Sequence, residues 1–324
     1  MPSPLHAPRS AGMVPAMDLR SFKIHRPDRH VRAVLGDHRG EHAHDLYGEA
    51  FERVVDAALP LLDILAARAG AQVRALSVDG IARVLRLTTA EMPPRPLVLD
   101  GHKLWDMSAQ VAPLARAVLR ELHARSPDLP GTTPSDADFW DHIYRDEAGG
   151  WELGRATPPL AGYFAAASPR GLRALVVGCG RGHEARMLAA LGAHVTAIDI
   201  APTAIATAQA SSEPGIDYLV QDLFTMPREP ERFDVVVEHT CYCAIEVSRR
   251  DEYVDAVADL LVPGGQLVGL FFAHGRPGGP PFTVDAASVR AAFERRFTID
   301  ELVVATDSVL VRMGEELLAR FAVR

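Results

Sequence analysis

Lysine, cysteine and long apolar runs are scarce in this 324-residue chain, and each scarcity excludes a class of protein. The only lysines are Lys23 and Lys103 and the formal net charge is −8, so the basic excess typical of nucleic-acid binders is missing. The three cysteines, odd in number, exclude a secreted disulfide scaffold and favour a reducing cytoplasm. No run approaches the roughly 20 apolar residues of a membrane span. We therefore expect a cytoplasmic protein with a small-molecule partner, without nucleic acid or membrane.

The apolar content, 48% of residues, is ample for one large or two modest domains. Residues 1–32 are basic and contain proline, and we expect a disordered leader there. Proline, glycine, serine and threonine concentrate at Ser126–Ser135, as in linkers. This composition predicts a small N-terminal domain over residues 33–130, of unknown role, and a second domain over residues 131–324.

Helical spacing of apolar residues predicts that the N-terminal domain is mainly helical. Apolar side chains recur at helical intervals in Asp45–Ala69, with an interruption expected near Pro60, and again in Val111–Leu122. The stretch Val73–Val98 alternates only weakly, which fits either short strands or a further helix.

Strand and helix patterns alternate clearly in the second domain, which predicts an α/β fold with a mostly parallel sheet. The predicted strands are Ala174–Val177, His194–Ile200, Tyr218–Val220, Phe233–Glu238, Gln266–Phe272, Ile299–Ala305 and Leu317–Ala322. The predicted helices are His183–Leu191, Pro202–Ala210, Arg250–Leu261 and Ala286–Phe293.

A glycine loop follows the first of these strands. Gly178, Gly180 and Gly182 form Gly-x-Gly-x-Gly, and His183 stands where a dinucleotide fingerprint has its last glycine. Asp199, 21 residues after Gly178, ends the next strand and is placed to accept hydrogen bonds from ribose hydroxyls. This combination fits S-adenosyl-L-methionine better than a dinucleotide.

Asp222 follows the third strand, in the sequence VQDLF. Its carboxylate is placed to accept a hydrogen bond from an adenine amino group, while Leu223 lies against the ring. Asp199 and Asp222 would then bracket an adenosine. The alternative for either acid alone is a solvated carboxylate at a strand end.

Several ordered motifs together carry a family resemblance. They are FWDHIYRDEAGGWELGRATPPLAGY at Phe139–Tyr163, followed by LVVGCGRGHE, AIDI, QDLF, FDVVVEHTCYCAIE and GRPGGPPFTV. From about Asp138 to the C-terminus the chain resembles the thiopurine methyltransferase superfamily, most closely its thiol and halide methyltransferase branch. The resemblance implies a Rossmann-like class I methyltransferase sheet of seven strands, the last one antiparallel. It implies nothing about residues 1–130.

The resemblance also implies roles for individual residues toward S-adenosyl-L-methionine. Trp140 and Trp151 would lie over the cofactor with Tyr144 nearby, and an aromatic face beside a sulfonium is a cation–π contact. The other implied contacts are Gly178 and Gly180 at the methionine part, Asp199 at the ribose, and Asp222 with Leu223 at the adenine. For the tryptophans, the alternative is helix packing.

His239 and Arg250 fall at family positions near the methyl acceptor. His239 would border the cofactor at the reacting methyl group and is the candidate to accept a thiol proton, although tyrosine or arginine is more familiar there. Arg250 would hold an acidic acceptor by a bidentate contact, and its alternative is a surface arginine. Val176 replaces an acid that many methyltransferases carry before the first glycine.

Two clusters invite a metal interpretation, and we favour neither. In His239–Cys243, alternating residues at a strand end point to opposite faces, and Cys-x-x-Cys spacing is absent. Cys243 is expected to pack. The pattern of His38, His42 and His44 is typical of a solvated helix start.

Three functional hypotheses follow. The first is an S-adenosyl-L-methionine-dependent S-methyltransferase acting on a small thiol or similar soft nucleophile. The second is an O- or N-methyltransferase of a specialised metabolite or peptide whose acceptor is chosen by the N-terminal domain. The third is a non-catalytic cofactor-binding regulatory protein. Deleting residues 1–130 separates the first two, since methylation of simple thiols should survive it.

Overall fold

Two separate sheets, one of six strands and one of seven, organise the chain. The computed structural model describes residues 18–37, 40–89, 96–122, 133–145, 151–211, 215–228 and 233–324. Among these residues no helix combines the length and the apolar character needed to cross a bilayer.

The N-terminal domain is an antiparallel sheet covered by helices. Its strands are β1 Asp18–His25, β2 His30–Asp37, β3 Gly40–Leu46, β4 Val73–Asp79, β5 Val84–Thr89 and β6 Pro96–Asp100, in the order β3-β2-β1-β4-β5-β6. Its helices are α1 Gly48–Ala69, α2 Gly101–Trp105 and α3 Ser108–Leu122. The apolar faces of α1 and α3 pack with the sheet in one core. Helices α1 and α3 occur at the predicted places, but α1 continues through Pro60.

The expectation of a mainly helical N-terminal domain is wrong, because six strands make up much of it. The expected disordered leader is also wrong for residues 18–32, where Leu19, Phe22 and Ile24 of β1 are buried. Residues 1–17 lie outside the described residues. His42 and His44 belong to strand β3 instead of a helix start, and His38 lies outside the described residues.

The second domain begins with helices α4 Ala137–Arg145 and α5 Pro158–Ala167, followed by alternating strands and helices. These are β7 Arg173–Val177, α6 His183–Ala190, β8 His194–Asp199, α7 Pro202–Ala210, β9 Ile216–Val220, β10 Phe233–His239, α8 Arg250–Leu260, β11 Leu261–Phe272, α9 Ala286–Phe293, β12 Phe297–Val304 and β13 Glu316–Val323. One core cluster joins α5, α6 and α7 to one face of the sheet, and a second joins α8 and α9 to the other.

The sheet order is β12-β13-β11-β10-β7-β8-β9. Strand β13 pairs antiparallel with both β11 and β12, whereas the pairs from β11 to β9 are parallel. The predicted α/β sheet of seven strands with an antiparallel last strand is therefore confirmed. Its strands are apolar runs because both faces are covered.

The two domains share core residues. Leu310 and Met313, from the connection between β12 and β13, are buried in the hydrophobic core of the N-terminal domain. We call residues 305–315 the bridging segment, because it leaves the second sheet, packs on the first domain and returns.

Candidate functional site

A cavity of about 810 Å³ lies at the carboxyl end of the parallel strands. Strand β7 has β8 on one side and β10 on the other, so the strand order reverses there. Open α/β sheets bind their ligands in the crevice outside such a reversal. The predicted cofactor residues all line this cavity: Trp140, Tyr144, Trp151, Gly178, Gly180, Asp199, Asp222, Leu223 and His239.

The glycine loop forms one wall of the cavity with bare backbone. Gly178 and Gly180 have φ values of +55° and +52°, a conformation that side chains other than glycine rarely adopt. A Cβ at Gly178 would lie 2.8 Å from Cys241 Sγ, and one at Gly180 would lie 2.8 Å from Tyr144 Oη. The loop therefore needs glycine for its conformation and for the close approach of its neighbours.

Asp199, at the end of β8, is 6% exposed and held by backbone amides. Its Oδ2 accepts from Gly180 N at 2.9 Å, and its Oδ1 accepts from Ala201 N at 2.9 Å. Burial raises the pKa of Asp199 to about 6, and the amide hydrogen bonds limit the rise. The carboxylate is fixed in orientation and keeps acceptor capacity toward the cavity.

Asp222 and Leu223 sit at a single helical turn after β9. Asp222 caps the turn Leu223–Thr225, its Oδ1 accepting from Phe224 N at 2.9 Å. Leu223 is 7% exposed and lines the cavity. Asp222 is thus an oriented acceptor beside an apolar wall.

Three aromatic rings from α4 and the following segment line the cavity beside the glycine loop. The ring centroids of Trp140 and Trp151 are 5.6 Å apart, and those of Tyr144 and Trp151 are 5.7 Å apart, both in edge-to-face geometry. Trp140 Nε1 donates to Pro134 O at 2.7 Å, which fixes the indole. Burial raises the pKa of Tyr144 well above its ordinary value, so the phenol is neutral.

His239, the last residue of β10, is bound at both ring nitrogens. Its Nδ1 lies 3.0 Å from Glu184 Oε1, and its Nε2 lies 3.1 Å from Nη1 of Arg312. A guanidinium only donates, so the network assigns Nε2 as acceptor and places the proton on Nδ1. Burial lowers the pKa of His239, but the charge and hydrogen bond of Glu184 outweigh it, so the pKa lies above 6.5. With its Nε2 lone pair engaged, His239 shapes the cavity and is not free as a base.

Glu184 and Arg312 are residues that the sequence analysis missed. Glu184 lies in the first turn of α6, directly after the glycine loop. Burial opposes its ionisation, but His239 and the hydrogen bond from Thr157 N lower the pKa of Glu184 to about 2. Its place directly after the glycine loop was the one feature of the sequence that could have indicated a role in the site. Arg312 lies in the bridging segment, 73 residues from His239, and carries no local signal.

Glu152 ties the segment after α4 to the glycine loop. Its Oε1 lies 2.6 Å from His183 Nε2 and its Oε2 lies 3.8 Å from Arg181 Nε. Burial opposes its ionisation, but these partners lower the pKa of Glu152 overall. The neighbouring Trp151 is thereby held next to the loop.

Arg250 does not line the cavity, which corrects its expected placement at the acceptor. Its guanidinium carbon lies 4.8 Å from the Tyr242 ring centroid, and its Nη2 donates to Phe282 O at 3.1 Å. It supports the backbone at residues 282–283. Arg249, one residue earlier, does line the cavity, with its guanidinium carbon 3.6 Å from the Phe224 ring centroid.

Cys241 lies against Gly178 of the glycine loop and is partly buried, and Cys243 is buried. Burial raises the pKa of Cys243 to about 12 and that of Cys241 well above its ordinary value, so neither is a thiolate at neutral pH. Within the described ranges no three His, Cys, Asp or Glu side chains are grouped as metal ligands.

The N-terminal domain also reaches the cavity. Arg116 and Leu119 of α3 line it together with Val311 and Arg312 of the bridging segment. Phe272 and Pro280 are close by in the same wall. Both domains therefore contribute to the lining of the cavity.

Comparison with known proteins identifies a family for the second domain. The sequence profile of the thiopurine S-methyltransferase family matches residues 135–320. A probable thiol methyltransferase of Arabidopsis thaliana is 34% identical over 188 residues, which are 54% of this chain and 82% of that protein. Thiocyanate methyltransferase 1 of the same plant is 35% identical over 156 residues, 46% of this chain and 68% of that protein.

Among solved structures, an N-methyltransferase of Bradyrhizobium japonicum bound to S-adenosyl-L-homocysteine is similar, with a TM-score of 0.44 and 23% identity. The similarity covers 52% of this chain and 89% of that one.

Proposed function

This chain belongs to the thiopurine S-methyltransferase family, and from that premise we propose that it transfers the methyl group of S-adenosyl-L-methionine to a small thiol. The observation that carries the proposal is the cavity, where residues from Trp140 to His239 meet as an adenosine and sulfonium site would require. We also propose the division at about residue 131 and a cytoplasmic location without nucleic-acid partners.

The residues present fit the cofactor. The glycine loop presents backbone without side chains to the cavity, Asp199 offers a buried oriented carboxylate for a ribose, and the aromatic wall suits a cation. When bound, S-adenosyl-L-methionine supplies a methyl carbon activated by its sulfonium.

The task left to the protein is alignment. Methyl transfer is an in-line displacement. The wall formed by Trp140, Trp151 and His239 therefore serves by orienting the cofactor and the acceptor and by excluding water. A thiol with a pKa near 8.5 is already about a few per cent thiolate at neutral pH and needs little help from a base. A histidine engaged at both nitrogens is consistent with such a reaction.

The proposal is tested with labelled S-adenosyl-L-methionine and acceptors that differ in one atom. Thiophenol, phenol and aniline share a ring and differ in the nucleophile, and hydrogen sulfide and thiocyanate probe small acceptors. We expect methylation of the sulfur compounds only. Turnover of phenol or aniline alone would favour an O- or N-methyltransferase, and calorimetry showing no binding of S-adenosyl-L-homocysteine would refute the proposal.

A second candidate function for the N-terminal domain is acceptor selection, favoured by Leu119 in the cavity wall. In a Leu119→Trp variant, thiophenol methylation should fall more than hydrogen sulfide methylation, because the indole occupies acceptor space. Leu59→Trp, on the exposed side of α1, is the control. Equal losses for both acceptors would contradict selection at this position.

A further inference from the structure

The bridging segment is attached to the N-terminal domain at several points. Leu310 and Met313 are 1% and 3% exposed in that domain's core. An added Cβ at Gly80 would lie 2.7 Å from Leu310 Cγ, so this leucine packs directly on the backbone after β4. Arg116 Nη1 donates to Val311 O at 2.9 Å and pairs with Glu315 Oε2 at 2.9 Å.

Arg83, in the turn between β4 and β5, donates to the carbonyl of Thr306 at the start of the same segment. Both ends and the middle of the bridging segment are thus held by the N-terminal domain. Its conformation therefore depends on a domain that the family resemblance does not cover.

Arg312 points from this segment to the site. Its side chain is 5% exposed, and its Nη2 donates to Trp151 O at 2.7 Å. Its Nη1 lies 3.1 Å from His239 Nε2 and 3.2 Å from Glu316 Oε1. The planar guanidinium thus fixes the backbone of an aromatic wall residue and the ring of His239 at once, which a lysine cannot reproduce.

We propose that Arg312 is a positioning residue for methyl transfer and that the N-terminal domain sets its place by anchoring the bridging segment. The inference rests on the proposed function, since it concerns the same site. Residues 18–122 are then required for methyl transfer, whatever acceptor the protein uses.

The pH dependence of activity, through the ionisation of His239, reports on the positioning role of Arg312. Charged groups face it from Glu184 of α6, Arg312 of the bridging segment and Glu316 of β13, with Glu238 beside it on β10. Protonating His239 removes the acceptor for Arg312, so activity should fall on the acid side. Arg312→Gln removes a positive charge beside the ring, and losing a neighbouring cation raises the pKa of His239.

The test compares steady-state kinetics with hydrogen sulfide across pH for Arg312→Gln, Arg312→Lys and the control Arg320→Gln. The control removes the pair with Asp300 and does not change a residue that lines the cavity. We expect kcat/KM to fall roughly 10- to 100-fold in Arg312→Gln, with its acid limb moved to higher pH. Arg312→Lys should keep the acid limb near that of the wild type while kcat stays low. An unshifted limb in Arg312→Gln, or losses that only follow melting temperature, would overturn the proposal.

A second pair of variants tests the anchoring. Leu310→Ala loosens the bridging segment, and Leu65→Ala removes the same atoms from α1 in the same core. Both should lower the melting temperature, but only Leu310→Ala should lower kcat; equal kcat values would overturn the anchoring. If the wild type methylates no thiol, the proposed function fails. The affinity for S-adenosyl-L-homocysteine then decides, with weaker binding in Arg312→Gln supporting the positioning role and equal binding refuting it.

Discussion

At the scale of single residues, the site depends on backbone that approaches its neighbours closely and on one buried carboxylate. The glycine loop and Asp199 are mutually dependent, because Gly180 N donates to Asp199 Oδ2 at 2.9 Å. The same acid that is proposed to bind the ribose therefore also holds the loop proposed to bind the methionine part.

Asp199→Asn should weaken binding of S-adenosyl-L-homocysteine roughly 10- to 100-fold, since an amide replaces a charged acceptor. The wild type should show a matching pH dependence. Burial raises the pKa of Asp199 to about 6, so the carboxylate is lost as pH falls through that value, and affinity should fall with it. Calorimetry over a pH series checks both, and the Asn variant should lack the acid loss. An identical acid loss in the variant would assign it to another group.

Gly178→Ala should lower the free energy of unfolding by more than the backbone strain alone would. A left-handed conformation costs an alanine about 1–2 kcal/mol, and here the new Cβ would also lie 2.8 Å from Cys241 Sγ. Gly171→Ala is the matched control, because its φ is +79° and a Cβ added there would meet nothing within 4 Å among the described residues. Thermal melts should show the larger loss at Gly178, together with loss of cofactor binding. Equal losses at both positions would show that the close approach does not matter.

At the scale of elements, α4 is held over the cavity by one carboxylate. Asp141 Oδ1 accepts from Thr203 N at 2.7 Å, in the first turn of α7, and satisfies an amide that the helix itself cannot. Helix α4 thereby carries Trp140 and Tyr144 to the site.

Asp141→Ala should therefore weaken binding of S-adenosyl-L-homocysteine about tenfold, because a charge-assisted hydrogen bond between α4 and α7 is lost. Asp138→Ala, on the exposed side of the same helix, controls for the loss of one acidic residue from α4. Calorimetry on the two variants makes the comparison. Equal affinities in both would mean that α4 is positioned by packing alone.

The elements of the second domain were predictable because each one has a local cause. Apolar runs marked the buried strands, and the glycines after β7 marked the loop. The spacing from Gly178 to Asp199 supports the ribose position, which stays a proposal. The family prediction is confirmed over residues 135–320. Strand β1 was missed because its alternation is broken by a bulge between Leu19 and Ser21 and its other face carries polar residues. From the sequence alone, a basic strand with one buried face resembles a disordered leader, because the strands that pair with it cannot be identified.

Arg312 was beyond sequence analysis for a different reason. Its partners Trp151 and His239 are 161 and 73 residues away, and nothing near Arg312 in the chain indicates either. Arg250 was misplaced by the opposite error, since its helix is correct but its side chain turns to Phe282 O. The direction of a side chain at the start of a helix depends on which residues pack against it, and a single sequence does not indicate those residues.

At the scale of the whole molecule, the two domains form a shared interior. Residues 131–324 expressed alone should be poorly stable and should lose thiol methylation, which reverses the expectation from the sequence that simple-thiol methylation survives deletion of residues 1–130. In this fragment Leu310 and Met313 would face water, and burying one such side chain stabilises by about 1.5–3 kcal/mol. The double change Leu310→Ser and Met313→Ser should restore solubility of this fragment without restoring methyl transfer. Calorimetric melting and the hydrogen sulfide assay check the two parts. Wild-type turnover by the fragment would contradict the dependence on the first domain.

The path of the bridging segment also has a consequence for synthesis. A chain made from its N-terminus presents strands β1 to β6 and helices α1 to α3 long before Leu310 and Met313 exist. While the second domain is translated, the core of the first domain lacks these two side chains. Its apolar surface therefore stays exposed for longer to chaperones or to neighbouring nascent chains. A ribosome stalled before residue 305 should hold a first domain that proteases still recognise.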